Sequence, residues 1–346
     1  MDGRPNLDHH RTMESTRKSS TVAVFSGGPT DEHPISIETG KAASRAIQAL
    51  GHTPLNVVID RDLRWRVNGS EPLPLADGLK ATLEYNPGAA FLGLHGPFGE
   101  DGTIQAILDA AGLGYQGSGV RASALAMNKS MTKAILGHAG LPVAPEWLVT
   151  RENRDSIRPE AVFAKLGEEV FVKPVHLGSS VGAAQARNRS ELLSAIQMGL
   201  AADEAVLIEP LLVGQELTCG VLTESGEREV RPLPSILIEA IGHDFFDYES
   251  KYTPGHNREL CPAPITEALE QELRDLAVRS HKALGCRDIS RTDFIVKNGR
   301  PIILEVNTLP GLTEASLIPQ SAREAGLSFE NLVGGLLDSA FSRTVR

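Results

Sequence analysis

The sequence predicts an α/β chain, and three observations carry that prediction. Short apolar runs such as residues 21–25, 55–60 and 89–96 alternate with amphipathic stretches of helical period, the pattern of successive β-α-β units. Glycines and prolines punctuate the junctions between them. With 41% hydrophobic residues over 346 positions, the chain can bury enough surface for two or three lobes.

Taken in order, residues 1–20 lack apolar periodicity and are rich in charge and serine, so they read as a disordered N-terminal extension. The adjacent His9 and His10 belong to that tail and not to a metal site. An open-sheet domain is expected over 21–125. It begins with the strand TVAVF, the loop SGGPTDEHP and a helix over 35–50 stopped by Gly51. Strands LNVVID and AAFLGLHG follow, and the loop GPFGEDG leads into a helix ended by Gly112. A central lobe over 126–213 carries Asn128-Lys129, a proline-bounded linker LPVAP, and the strands VFVKP, VGAAQAR and VLIEPL around a helix from Ser190. A C-terminal lobe over 214–346 holds strands QELTCGVL and REVRPLPS, a polar loop over 242–258 and a helix over 266–284. It then gives a hairpin: SRTDFIVK, the turn Asn298-Gly299, and PIILEVN.

Composition excludes several functions. The charge is 34 basic minus 44 acidic residues, or −10, with no basic block in the folded part, so no nucleic-acid partner is expected. Three cysteines lie far apart without metal or disulfide spacing, which predicts a cytoplasmic protein. No apolar run approaches the roughly 18 residues of a membrane span, and no signal-peptide core is present. GLGYQG (112–117) matches a dinucleotide fingerprint literally but follows a helix, and GxxxxGK[ST] does not occur.

The chemistry-bearing residues cluster elsewhere. In VFVKPVHLGSSVG, a glycine-serine loop can turn N–H groups toward phosphate oxygens while Lys173 adds a point charge; a plain hairpin with a surface lysine fits the same segment. On the hairpin, Asp293 in one strand and Glu305 and Asn307 in the other share a face by strand alternation, an all-oxygen set suited to Mg²⁺ and not to zinc. Arg291 projects to that face, and Gly311 in the following Thr-Leu-Pro-Gly-Leu-Thr can offer a backbone N–H to an oxyanion. Glu209 and Glu216, flanking a short loop, suit an adenine edge and ribose hydroxyls, or are simply solvated.

These segments together resemble the ATP-grasp ligases, and within them the D-alanine–D-alanine ligase family. The shared stretches are SGGPTDEH, LHGPFGEDGTIQ, YQGSGVRASALAMNK, GSSVG after VKP, LIEPLL, FDYESKY, RTDF, EVNTLPG and ASLIPQSAREAGLSF, spanning nearly all of 21–340. The resemblance implies three α/β lobes with ATP between the central and C-terminal ones. It implies that Lys129 and Lys173 contact the ATP phosphates, that the Ser179–Ser180 loop covers them, and that Lys251 reaches them from a mobile loop. Glu209 and Leu212 would bracket adenine and Glu216 would hold ribose. Asp293, Glu305 and Asn307 would bind two Mg²⁺ ions, or Mn²⁺ in their place. Arg291 and the Gly311 N–H would stabilise a tetrahedral intermediate, His95, Ser316 and Leu317 would border D-amino-acid substrates, and a homodimer is expected.

The implied reaction joins two D-alanines through an acyl phosphate for peptidoglycan precursor synthesis. One departure motivates a second reading. The family places two glutamates in the Glu-x-Glu-Val-Ser stretch, and the resemblance assigns the second to the first substrate's ammonium and to the loop serine; here it is Pro34. Either Glu32 or Glu38 takes over, or the enzyme is a carboxylate–amine ligase with another first substrate in a specialised pathway. Ser179 and Tyr252, on the opposite side of that contact, are present, and Tyr252 argues against an ester-forming relative. A nucleotide-binding protein without chemistry is the reading from another class, and the intact Arg291, Asp293, Glu305, Asn307 and Lys251 speak against it.

Overall fold

Val22, Ala23, Val24 and Phe25 are almost free of solvent contact because helices cover both faces of the strand they form. That strand, β1 (Thr21–Gly27), is the centre of a sheet in the computed structural model, which describes residues 19–178, 182–223, 230–240 and 257–345. Residues 1–18 of the expected N-terminal extension, most of the loop 242–258, and Ser179, Ser180, Lys251 and Tyr252 lie outside the described residues.

Strand β2 (Thr53–Ile59) and, further along, β4 (Ala89–Leu92) flank β1 in parallel, and β3 (Trp65–Val67) pairs antiparallel with β2. Helix α1 (His33–Ala49) starts two residues before the apolar pattern begins, because Pro34 sits in the first turn, where its missing N–H has no helical partner to lose. Helices α2 (Leu75–Glu84) and α3 (Thr103–Ala110) complete this unit. Tyr115 of the GLGYQG stretch bridges in parallel to Ala90, at the sheet edge.

Helix α4 (Val120–Met127) meets α5 (Lys129–His138) at Asn128, whose side-chain oxygen accepts from Met131 N at 2.9 Å and so starts the new helix. The second sheet is antiparallel: β5 (Trp147–Thr150), β6 (Val170–Pro174), β7 (Ala184–Ala186) and β8 (Ala205–Pro210) lie in the order β5-β8-β6-β7. Helices α6 (Pro159–Leu166) and α7 (Arg189–Ala202) accompany it, and Asn188 caps α7 by accepting from Glu191 N.

The third sheet is formed by β9 (Gln215–Thr223), β10 (Val230–Pro232), β11 (Ile236–Ala240), β12 (Asn257–Leu260), β13 (Ile289–Lys297) and β14 (Arg300–Asn307). Helix α8 (Glu267–Leu284) covers it, capped by Thr266 and ended by the left-handed Gly285. Strand β11 has no counterpart in the sequence expectation, which ended the strand-like pattern at the prolines before it. Helices α9 (Leu317–Glu324) and α10 (Phe329–Arg343) end the chain.

Core packing crosses the boundaries drawn at residues 126 and 214. Leu136 of α5 packs with Leu217, Leu273 and Phe294 of the third sheet and its helix. Leu332, Val333, Leu336 and Leu337 of α10 pack with Val22, Val24, Ala43 and Phe91 of the first unit. The buried Asp288 reinforces this seam, pairing with Arg343 at 2.5 Å and accepting from Gly117 N at 2.7 Å. The chain's end therefore fastens the first sheet against the third, and their loops open into one cavity. Among the described residues no helix is long and apolar enough to cross a membrane.

Candidate active site

The hairpin β13–β14 is built by its turn. Asn298 and Gly299 both have positive φ, 52° and 71°, the conformation that lets two residues reverse a twisted pair of strands. The turn pairs Lys297 with Arg300, and a β-bulge between Asp293 and Phe294 then shifts the register by one residue, which puts Arg291 opposite Asn307 and Asp293 opposite Glu305. All four side chains line a cavity of about 240 Å³, with the neighbouring Val306 between them on the strand. Arg291 donates from Nε and Nη2 to the two oxygens of Asp293, each at 2.9 Å. Asn307 Nδ2 and Thr218 Oγ1 also donate to Asp293, at 2.9 and 2.6 Å. Burial pulls the Arg291 guanidinium down, but the Asp293 charge and its hydrogen bonds outweigh this and hold it above its ordinary range. Arg291 is thus a fixed, oriented cation.

Lys129, at the start of α5, is buried and donates from Nζ to Leu177 O at 2.7 Å, with Glu305 3.5 Å away. The loop after β14 closes the opposite wall. His95 faces the Leu309 carbonyl through Nδ1 at 3.3 Å and Thr39 Oγ1 through Nε2 at 3.0 Å. A carbonyl only accepts, so Nδ1 carries the proton and Nε2 accepts from the threonine. Burial lowers the His95 pKa and keeps the ring neutral, although the Glu32 charge pulls the other way. Gly311 also lines the cavity, and a Cβ there would lie 2.9 Å from Ser316 Oγ, so a larger residue would make that hydroxyl shift. Ser316 precedes α9 and accepts from Thr313 N at 3.1 Å; it and Leu317 complete the wall.

Of the residues singled out from sequence, the cavity therefore gathers His95, Lys129, Glu216, Arg291, Asp293, Glu305, Asn307, Gly311, Ser316 and Leu317. Gly178, the last described residue before Ser179 and Ser180, is on its rim. Lys173, Glu209 and Leu212 do not line it. They belong to the adjoining second sheet and the loop after it, where Lys173 Nζ contacts Glu209 Oε2 at 2.6 Å.

The concern about Pro34 is corrected by the same geometry. Pro34 is exposed and absent from the cavity wall, and Glu38 is exposed and paired with Lys41 at 2.8 Å. Glu32 is the carboxylate that lines the cavity: its Oε2 lies 2.9 Å from where a Gly96 Cβ would be and 4.0 Å from that of Gly178. Two positions along a helix differ by about 200°, so Glu32 and the residue at 34 cannot face the same ligand. Sequence reasoning also passed over Glu100 and Glu259 on this wall. Spacing gave no signal for Glu259, but Glu100 sits in the short GPFGEDG loop next to His95, and a carboxylate there was a signal to use.

Glu100 Oε1 accepts from Gly96 N at 2.9 Å. Burial, then the nearby Glu32 charge, pushes its pKa up from the ordinary 4.5 to about 8. The folded state thus holds a proton that the unfolded chain releases above 4.5, so this group makes stability fall as pH rises from about 4.5 to 8. Thermal melts of the wild type and Glu100→Gln across that window check this. The variant is expected to show the flatter dependence, and identical slopes would rule out a protonated Glu100.

Three α/β sheets with a polar cavity at their meeting point define a protein of the ATP-grasp class, the fold of the solved structures it superposes on. The D-Ala:D-Ser ligase VanG of Enterococcus faecalis matches with a TM-score of 0.80 at 28% identity, covering 93% of this chain and all of that one. The D-alanine–D-alanine ligase of Bacillus anthracis complexed with ATP matches with a TM-score of 0.77 at 26% identity, covering 94% and 98%. A family model described as D-ala D-ala ligase C-terminus fits residues 135–338. The D-alanine–D-alanine ligase of Syntrophobacter fumaroxidans is 40% identical over 321 residues, 92% of this chain and 97% of the relative. That of Desulforudis audaxviator is 40% identical over 324 residues, 93% and 99%. The chain belongs to the D-alanine–D-alanine ligase family.

Proposed function

We propose that this protein joins two D-alanines to D-alanyl-D-alanine at the expense of ATP, as a cytoplasmic step in peptidoglycan precursor synthesis. The observation that carries the reading is the convergence of a fixed guanidinium, an all-oxygen face and the buried Lys129 on one cavity, in a chain whose full-length relatives are ligases of this kind. A carboxylate is a poor acyl donor because oxide would have to leave, so the first D-alanine is activated by the γ-phosphoryl group of ATP. The amine of the second then attacks the acyl carbon, the amide bond forms, and phosphate departs.

The chain's residues fit those tasks. Lys129, now beside Glu305, and Lys173, now paired with Glu209, would meet phosphate charge, and Ser179, Ser180 and Lys251 are assigned to the same phosphates by their place in the family motifs. Leu212 and Glu209 would border the base and Glu216 the ribose. Asp293, Glu305 and Asn307 offer two carboxylates and an amide oxygen. Two carboxylates and one amide oxygen leave most of an octahedral shell open, so these would hold Mg²⁺ jointly with the nucleotide. Bound there, Mg²⁺ neutralises charge on the transferring phosphoryl group. Arg291 and the Gly311 N–H are disposed to receive the oxyanion that develops as the amine attacks. Glu32, with Ser179 and Tyr252, takes the ammonium of the first D-alanine, and neutral His95 is held against the substrates by Thr39 and Leu309. The N-terminal, central and C-terminal lobes at 21–125, 126–213 and 214–346, homodimerisation, and the lack of a nucleic-acid partner belong to the same proposal; the net charge of −10 supports the last.

A phosphate-release screen over D- and L-amino acids, hydroxy acids and amines, with product masses, tests the reading. D-alanine is expected to give the fastest release and the D-alanyl-D-alanine mass; a faster first substrate of another class would favour the specialised-pathway alternative. The corrected ammonium contact has its own check. Glu32→Gln is expected to raise KM for the first D-alanine about 10- to 150-fold, the worth of roughly 1.5–3 kcal/mol for a charge-assisted hydrogen bond. Pro34→Glu, at an exposed position, is expected to shift either subsite by no more than about twofold. A strong response to Pro34→Glu with none to Glu32→Gln would reverse the assignment.

A further inference from the structure

Glu209 is 5% exposed, and two lysines, the buried Lys133 and the half-buried Lys173, share its carboxylate. Lys173 reaches Oε2 at 2.6 Å, and Lys133, from the middle of α5, is paired with Oε1. Lys133 also lies 3.3 Å from Glu146, on the linker before β5. Burial disfavours the Glu209 charge, but Lys173 and Lys133 together hold its pKa below the ordinary value. Burial likewise opposes the Lys173 charge, and Glu209, Glu305 and Glu146 overcome it. The two lysines and the two glutamates Glu209 and Glu146 balance in charge.

That balance bears on a nucleotide, and so depends on the ATP-dependent function proposed for this chain. A lysine bound to one carboxylate in a water-poor site cannot leave for a phosphate unless the carboxylate keeps another counter-ion, because a lone buried anion is costly. We infer that Lys133 is a positioning residue that stays on Glu209 and so frees Lys173 to exchange from Glu209 to the polyphosphate of the nucleotide. Lys133 itself points at Glu209 and Glu146, and it does not line the cavity. Its contribution therefore falls on the phosphate end of the ligand through Lys173, and on the adenosine end only through the fixed Glu209.

Direct binding of ATP and of AMP to the full-length protein, measured by calorimetry with Mg²⁺ present, separates this from a merely structural role. In the wild type the polyphosphate is expected to add affinity, so that ATP binds more tightly than AMP. In Lys133→Met, with Glu209 left to Lys173 alone, the ratio of ATP to AMP affinity is expected to fall at least tenfold. The double variant Lys133→Met/Glu209→Gln removes the charge that retains Lys173, and the ratio is expected to return to within about threefold of the wild type, even if AMP itself binds more weakly. The double variant also leaves no unpaired charge on Glu209, so it provides the folded comparison if the single variant fails to fold. An unchanged ratio in a folded Lys133→Met, or no recovery in the double variant, overturns the inference. Failure of the wild type to bind ATP would instead count against the proposed function.

Discussion

Arg291→Met is expected to lower kcat by about 10²–10³-fold or more while substrate KM values change far less. In the proposed reaction the guanidinium acts where charge develops in the transition state, and loss of one such donor typically costs this much. The pairing adds a second effect. Asp293 accepts four hydrogen bonds, two of them from Arg291, so the methionine leaves the carboxylate half-satisfied next to Asn307 and Thr218. A lower melting temperature is expected alongside the loss of rate. Arg291→Lys keeps the charge but not the bidentate fork, and should recover stability better than rate. ADP release in a coupled assay, with melts by circular dichroism, checks all three statements; a Met variant that keeps wild-type kcat removes Arg291 from the chemistry.

Glu305→Gln is expected to reduce turnover by about 10³-fold, since a carboxylate that shares a cation with a phosphoryl group contributes several kcal/mol to charge stabilisation. The fold should survive, because Glu305 is half-buried and the amide is isosteric. In the structure Glu305 stands opposite Asp293 and 3.5 Å from Lys129, so the substitution also leaves Lys129 more weakly held. Raising Mg²⁺ is expected to restore part of the rate if the deficit is one of metal affinity. Full activity at ordinary Mg²⁺ would exclude Glu305 from the metal set.

Much of the site was legible because the hairpin is local. An Asn-Gly turn marks the hairpin, and strand alternation puts Arg291 with Asp293 and Glu305 with Asn307; the bulge between Asp293 and Phe294 that sets the two pairs opposite one another is not given by the turn. The Glu32 assignment was not legible in the same way. It depends on where α1 begins, and an element boundary shifted by two residues turns a side chain by about 200°. Lys133 was invisible for another reason: it reads as one more polar residue of an amphipathic helix, and only the packing of α5 between the second and third sheets buries it beside Glu209. The docking of α10 on the first sheet is a contact across most of the chain, which no window of local sequence carries.

The central claim is that the carboxylate of the first D-alanine is activated by phosphoryl transfer at this cavity. Incubation of the enzyme with ATP, Mg²⁺ and D-alanine carrying ¹⁸O in its carboxylate, followed by mass spectrometry of the phosphate released, addresses it directly. Activation as an acyl phosphate requires one ¹⁸O to appear in inorganic phosphate for each dipeptide made, with ADP as the other nucleotide product. Unlabelled phosphate, or ¹⁸O in AMP accompanied by pyrophosphate, would contradict it.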